Sequence, residues 1–207
     1  MSMLKTKDRL TLILLRIGMA IPFLYFGLQL IAASFSPGYS FMRNVASELG
    51  SDLARYPTPF NRGVMIQGVL TLMASFGFLR ALLRLGARPI LAWLICLAVA
   101  MNGVQSLWAG FFPMPDPRHG GHPLFVIGMI LLPFLLTIAL WKQSGALLRS
   151  YLIATMLLIV ALFPLMSGMA GLDTHSYKGL LQRLFTLAVF PPIGVGAYFL
   201  AKRIERA

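Results

Sequence analysis

Six apolar runs, each long enough to cross a membrane, constrain this chain more than any other feature of its sequence. A bilayer has a hydrocarbon core of about 30 Å, which a helix crosses in about 20 residues. With 58% apolar and 12% charged residues, the sequence excludes a soluble enzyme. It predicts an all-α, polytopic membrane protein in which residues 1–207 form one domain of six transmembrane helices, at about 10–34, 61–83, 87–111, 123–141, 149–167 and 179–201.

The basic residues are divided unequally between the two sides of these spans. One side has twelve Lys and Arg residues with two carboxylates, and the other has six with four carboxylates. Because basic loops stay in the cytoplasm, the pattern predicts that both termini are cytoplasmic. This asymmetry also accounts for the net charge of +12, so no nucleic-acid partner is expected. The predicted location is the cell inner membrane.

The residues best suited to chemistry lie on the opposite, outer side. All three histidines and four of the six carboxylates fall there. The inner loops carry mainly lysine and arginine. We therefore expect the functional face to be periplasmic or extracellular.

The connection between spans 1 and 2 has the pattern of an amphipathic helix. Ser40 can cap a helix in which apolar residues recur every four positions from Phe41 to Leu53. Such a helix would lie in the membrane interface or fold over the mouth of the bundle. The sequence therefore predicts an interfacial helix over residues 41–55.

Two further outer segments contain the histidines. Asp116, His119 and His122 fall within seven residues, and Asp173 precedes His175 by two. Three histidines with nearby carboxylates resemble the ligand set of a catalytic zinc site, whereas histidines that join loops or bind phosphate head groups would give the same pattern. The metal hypothesis assigns a divalent metal such as zinc to His119, His122 and His175, and catalytic roles to Glu48, Asp116 and Asp173.

Polar residues also occur within the outer ends of the spans. Polar side chains in a membrane are costly and usually face the interior of the bundle, so they predict a cavity that opens outward. Arginine suits a lipid phosphate, although hydrogen bonding between helices is the alternative role for the amides. The predicted substrate-binding residues are Asn61, Arg62, Asn102, Gln105 and Arg183.

Four short motifs, placed in order along the six spans, resemble those of a known family. They are Ser47-Glu-Leu-Gly50, Pro59-Phe-Asn61, Gly110-Phe-Phe-Pro113 followed by Asp116 and His119, and Gly179-Leu-Leu-Gln-Arg183. Together they resemble the six-span bacterial membrane family called domain of unknown function 998. That family is similar in architecture to Frag-type membrane proteins, which are linked to the remodelling of GPI lipids. The resemblance implies lipid binding or lipid chemistry at the outer face.

Two functions remain open from the sequence. The first is a metal-dependent hydrolase or transferase that acts on a membrane lipid. The second is a non-enzymatic lipid-binding protein or an accessory subunit of a membrane complex. In both cases the expected partner is a membrane lipid.

Overall fold

A computed structural model describes residues 6–206, and six long helices account for most of them. The helices are α1 (Thr6–Ser34), α2 (Pro57–Arg84), α3 (Pro89–Phe111), α4 (Pro123–Leu140), α5 (Ala146–Met166) and α6 (Lys178–Arg206). Each is long and apolar enough to cross a membrane. The prediction of an all-α protein with six spans is therefore confirmed. Residues 1–5 and 207 of the predicted domain lie outside the described residues.

Prolines begin three of these helices and lie inside others. Pro57, Pro89 and Pro123 occupy first helical positions, where the missing N–H group costs nothing because that group has no partner within the helix. In contrast, α1 continues through Pro22 and α4 through Pro133. Neighbouring helices in a membrane bundle can compensate for such interruptions.

The bundle is arranged as a ring that α6 closes. Each helix packs against the next one along the chain, and α6 packs against α1 and α5 and also contacts α2 and α4. Glycines bring α2 and α3 close together, since a Cβ added to Gly68 would lie 2.8 Å from the carbonyl oxygen of Gly103. Small residues of this kind allow helix backbones to approach closely in membranes.

Alternation of the helices places three connecting segments, residues 35–56, 112–122 and 167–177, at the same end of the bundle. We call this the cavity end, and it is the end that the charge pattern predicts to face outward. Towards the other end, the bundle interior is filled by fully buried apolar side chains, including Phe78, Leu136 and Ile193. The fold therefore places the space for a polar site at the cavity end.

Candidate functional site

A cavity of about 620 Å³ lies between the helices at the cavity end. All six helices contribute to its wall. Hydroxyl, amide and imidazole side chains form its polar lining, which consists of Tyr25, Ser47, Asn61, Gln105, Ser106, His119, Ser167, Gln182 and Thr186. No Lys, Arg, Asp or Glu side chain lines it within the described part of the chain. The volume lies in the range of small-molecule binding sites.

The cavity changes from polar to apolar with depth. Gln182 lies near the start of α6, and Phe190 is two turns further, about 12 Å along the helix. The rings of Phe190 and Tyr25 stack at the inner end, with centroids 4.0 Å apart. Phe163 and Phe185 also belong to the apolar wall. An amphipathic molecule therefore matches this lining better than a fully polar one.

The connection between α1 and α2, residues 35–56, folds over the mouth of this cavity, and we call it the covering segment. It contains a short 3-10 helix, Ala46–Gly50. The amide N–H of Ala46 donates to Oε1 of Gln182 at 2.6 Å, and Nδ2 of Asn61 donates to the carbonyl oxygen of Gly50 at 2.8 Å. These two bonds attach the segment to the beginnings of α6 and α2.

The predicted interfacial helix over residues 41–55 is not formed, because other groups capture the carbonyl oxygens that it needs. The carbonyl of Phe41 accepts from Arg183, and that of Met42 accepts from the amide of Leu180. The side chain of Asn44 accepts from the amide of Ser40, which also competes with a helix. The apolar residues that suggested the helix therefore do not share one face: Leu49 is buried at 2% exposure, whereas Leu53 is 93% exposed.

Arg183 organises this segment rather than extending into the cavity. Its Nη1 atom lies within 2.9 Å of the carbonyl oxygens of Phe41, Asn44 and Gly179. Its Nη2 atom donates to the hydroxyl of Tyr39. The sequence predicted that Arg183 binds substrate. In the structure, protein oxygens instead occupy most of its guanidinium group.

Glu48 lines a separate cleft of about 440 Å³ on the surface of the cavity end. Its carboxylate pairs with Nζ of Lys178 at 3.0 Å and accepts from Nδ2 of Asn44 and from the amide of Val45. Burial raises the pKa of Glu48, but the hydrogen bonds from Asn44, Lys178 and Val45 together hold it below its ordinary value. The predicted catalytic Glu48 is therefore an ionised residue of the covering segment.

This lowered pKa gives a prediction for the pH dependence of stability. Ionised Glu48 stabilises the fold fully above the ordinary glutamate pKa of about 4.3, and this contribution is lost as the pH falls through the lower pKa of the folded state. Thermal unfolding of the parent chain should therefore shift to lower temperature between about pH 6 and pH 3. The shift should shrink in Glu48→Gln and persist in Asp52→Asn, which removes an exposed carboxylate. If the unfolding temperatures of the parent and Glu48→Gln depended equally on pH, the stabilising role of ionised Glu48 would be contradicted.

His119 is the one predicted metal ligand that lines the cavity. Its Nδ1 atom lies 2.7 Å from the carbonyl oxygen of Phe112. Since a carbonyl can only accept, Nδ1 carries the hydrogen of this bond, and Nε2 is the ring nitrogen left to accept a proton. The loop that bears His119 is further held by Trp108, whose Nε1 donates to the carbonyl of Arg118 at 2.7 Å.

The predicted catalytic residue Asp116 forms a local ion pair within that loop. Arg118 binds it through Nη2 at 2.7 Å, Nε at 3.0 Å and the backbone amide at 2.8 Å. These hydrogen bonds lower the pKa of Asp116 to about 2. Asp116 is consequently ionised at neutral pH and cannot serve as a proton donor there.

His122 and His175 lie on the surface, away from the cavity lining. Nδ1 of His122 accepts from the amide of Leu124 and so caps α4. His175 is exposed, and its backbone amide donates to the carboxylate of Asp173 at 2.9 Å. Over residues 6–206, no group of three or more His, Cys, Asp or Glu side chains is arranged to hold a metal ion. The zinc site stays a prediction from the sequence.

The remaining predicted binding residues fall into two sets. Asn61 and Gln105 line the cavity, as predicted. Arg62 is exposed on α2. Asn102 is 1% exposed inside the bundle, where its Nδ2 donates to the carbonyl of Ala98 one turn earlier in α3 and not to another helix.

Sequence reasoning did not assign Tyr25, Ser47, Ser167 and Thr186 to the site. Thr186 had a usable signal, since it follows Gln182 by four residues and so shares its helix face. Tyr25 lies nine residues before the end of α1, in a run that reads as an ordinary apolar span. Ser47 and Ser167 lie in connections whose folding depends on contacts with other helices.

Comparisons with known proteins identify a family but no function. A family model described as "Protein of unknown function (DUF998)" matches residues 19–197. The match begins within α1 and ends within α6, so it includes every segment of the cavity end. No curated protein and no solved structure matches the chain.

Proposed function

The chain belongs to the family described as Protein of unknown function (DUF998), and from this premise we propose that it binds an uncharged membrane lipid whose head group occupies the cavity. The observation that carries the proposal is the lining of the cavity, which is polar but bears no permanently charged side chain. The cavity also lies between helices that are long and apolar enough to cross a membrane. A lipid is therefore the ligand most available to it.

The charge distribution supports an uncharged head group. The charged groups beside the mouth are already engaged, since Arg183 binds carbonyl oxygens, Lys178 pairs with Glu48, and Arg118 pairs with Asp116. A phosphate placed in the cavity would lose its hydration without a direct bond from a lysine or arginine side chain of the lining, which is unfavourable. A hydroxyl-bearing head group meets no such cost.

The amide side chains of the lining suit a ligand that bears hydroxyl groups. Asn61, Gln105 and Gln182 all line the cavity. An amide side chain carries both hydrogen-bond donors and an acceptor, and a hydroxyl can likewise donate and accept. A head group with several hydroxyls is therefore chemically complementary to this lining.

The test is selectivity between lipids that differ in charge. We expect the purified protein, exchanged into nanodiscs that hold galactosyl diacylglycerol and phosphatidylglycerol in equal amounts, to retain the galactolipid at least about tenfold more, which corresponds to about 1.4 kcal/mol. Native mass spectrometry of the protein released from the nanodiscs measures how much of each lipid stays bound. Equal retention, or preference for phosphatidylglycerol, would contradict an uncharged ligand.

A hydrolase or transferase is the second candidate, and His119 is the observation that favours it. Its Nδ1 bond to Phe112 fixes the tautomer whose Nε2 can accept a proton from an attacking water or hydroxyl. If the parent chain hydrolyses galactosyl diacylglycerol in these nanodiscs, His119→Gln should lower the rate by about 100-fold or more. His122→Gln, which alters an exposed histidine, should not. A parent chain that forms no product, or variants with equal rates, would exclude this candidate.

A further inference from the structure

An apolar groove lies on the outer surface of the bundle at the cavity end, between α1 and α2. We call it the lateral groove. It has a volume of about 340 Å³, and its walls include Leu28 and Ile31 of α1, Phe35 just after that helix, and Pro59 and Phe60 of α2. Ile31 is 63% exposed and Phe35 is 56% exposed, so the groove opens towards the surrounding membrane.

Phe60 separates this groove from the cavity. It lines both spaces, although only 7% of its surface is exposed. Gly50 lies directly against it, since a Cβ added there would be 3.0 Å from Cδ1 of Phe60. One turn below, Gly63 packs on Leu28, which brings α1 and α2 together beneath the groove. A single aromatic ring thus stands between a polar space and the membrane.

We propose that the lateral groove holds a hydrocarbon chain of the same lipid whose head group occupies the cavity, with the connection between them passing at Phe60. This inference rests on the proposed function. A lipid with its head inside the bundle must keep its chains in an apolar medium, because water does not solvate them. The groove provides that medium next to the cavity, at the membrane depth of the last two turns of α1.

Phe60 thereby becomes a residue that determines which lipids enter. Phe60→Trp enlarges the ring between the two spaces and should block the connection. Phe60→Ala removes the ring and should widen the connection. The matched control is Phe76→Trp, because Phe76 lies on the same helix and is 55% exposed to the membrane.

Photo-crosslinking tests this placement with two probes that carry the same diazirine in one acyl chain, galactosyl diacylglycerol and phosphatidylglycerol. Both probes touch any lipid-facing residue, so the measured quantity is the ratio of their crosslinks at each position by peptide mass spectrometry. At Ile31 and Phe35 the galactolipid should exceed phosphatidylglycerol by about tenfold, as expected of a chain tethered beside the groove. At Phe23, which is 80% exposed on α1, the ratio should be near one.

The variants and a third probe make the result decisive. Phe60→Trp should bring the ratio at Ile31 to about one, whereas Phe60→Ala and Phe76→Trp should keep the excess. A galactolipid with the diazirine on its sugar should crosslink cavity residues. Suppose that the sugar probe crosslinks cavity residues, but that the excess of galactolipid over phosphatidylglycerol in acyl-chain crosslinks appears at Met166 of α5 or at no position. The inference about the lateral groove is then wrong, and the proposed function stands. If the sugar probe does not label the cavity, both are wrong.

Discussion

An Arg183→Ala variant should be less stable than the parent chain by about 2 to 4 kcal/mol in free energy of unfolding. The guanidinium group joins α6 to the covering segment through the carbonyl oxygens of Phe41 and Asn44 and the hydroxyl of Tyr39. Alanine would remove the donor to the carbonyl of Phe41 and leave the carbonyl of Asn44 with only the longer bond, of 3.3 Å, from the hydroxyl of Tyr39. Bonds to charged donors are the stronger class of hydrogen bond, which is why a large effect is expected.

Arg62→Ala is the matched control, since Arg62 also lies in the first two turns of a helix at the cavity end. It is exposed, and no hydrogen bond or ion pair is found for it in the described part of the chain. We expect its stability to stay within about 0.5 kcal/mol of the parent. Thermal unfolding of all three proteins in one detergent measures the difference. If the two variants were equally stable, Arg183 would not hold the covering segment.

The six helices could be predicted because membrane spans are marked by their own composition. A continuous apolar run of about 20 residues needs no knowledge of its neighbours, and the predicted runs match α1 to α6 to within a few residues at most ends. The asymmetry of basic residues is equally local. Orientation in the membrane stays a prediction from that asymmetry.

The covering segment could not be predicted, because its structure depends on groups far away in the chain. Spacing alone assigned a helix from Phe41 onward, yet Arg183 and Leu180 of α6 bind the backbone carbonyls of that region. Propensity and periodicity describe only interactions between near neighbours. A tertiary contact of this kind overrides them.

The candidate site was predictable only where the local composition of a span marks a residue as unusual. Asn61 and Gln105 are polar residues in apolar runs, and such residues tend to face the bundle interior. The roles of Arg183 and Glu48 were not predictable, since their partners are backbone atoms and a distant lysine. The histidines shared a side of the membrane, but the fold places His119 at the cavity and His122 and His175 on the surface.

Ala109→Trp should reduce binding of an uncharged lipid by at least about tenfold. Ala109 lines the cavity and follows Gln105 by one turn on the same face of α3. An indole there would occupy the space beside Gln105 that the proposal assigns to the head group. Leu97→Trp is the matched control, because Leu97 lies on the same helix but is 49% exposed towards the membrane.

Retention of galactosyl diacylglycerol by these two variants, measured side by side by native mass spectrometry, shows whether the lipid head group occupies the cavity. Circular dichroism and thermal unfolding establish that both variants remain folded, and Ala109→Leu provides a smaller obstruction if the tryptophan variant does not. We expect Leu97→Trp to retain as much galactolipid as the parent chain and Ala109→Trp to retain at least about tenfold less. Equal retention by the folded variants would contradict the claim that the cavity binds the lipid head group.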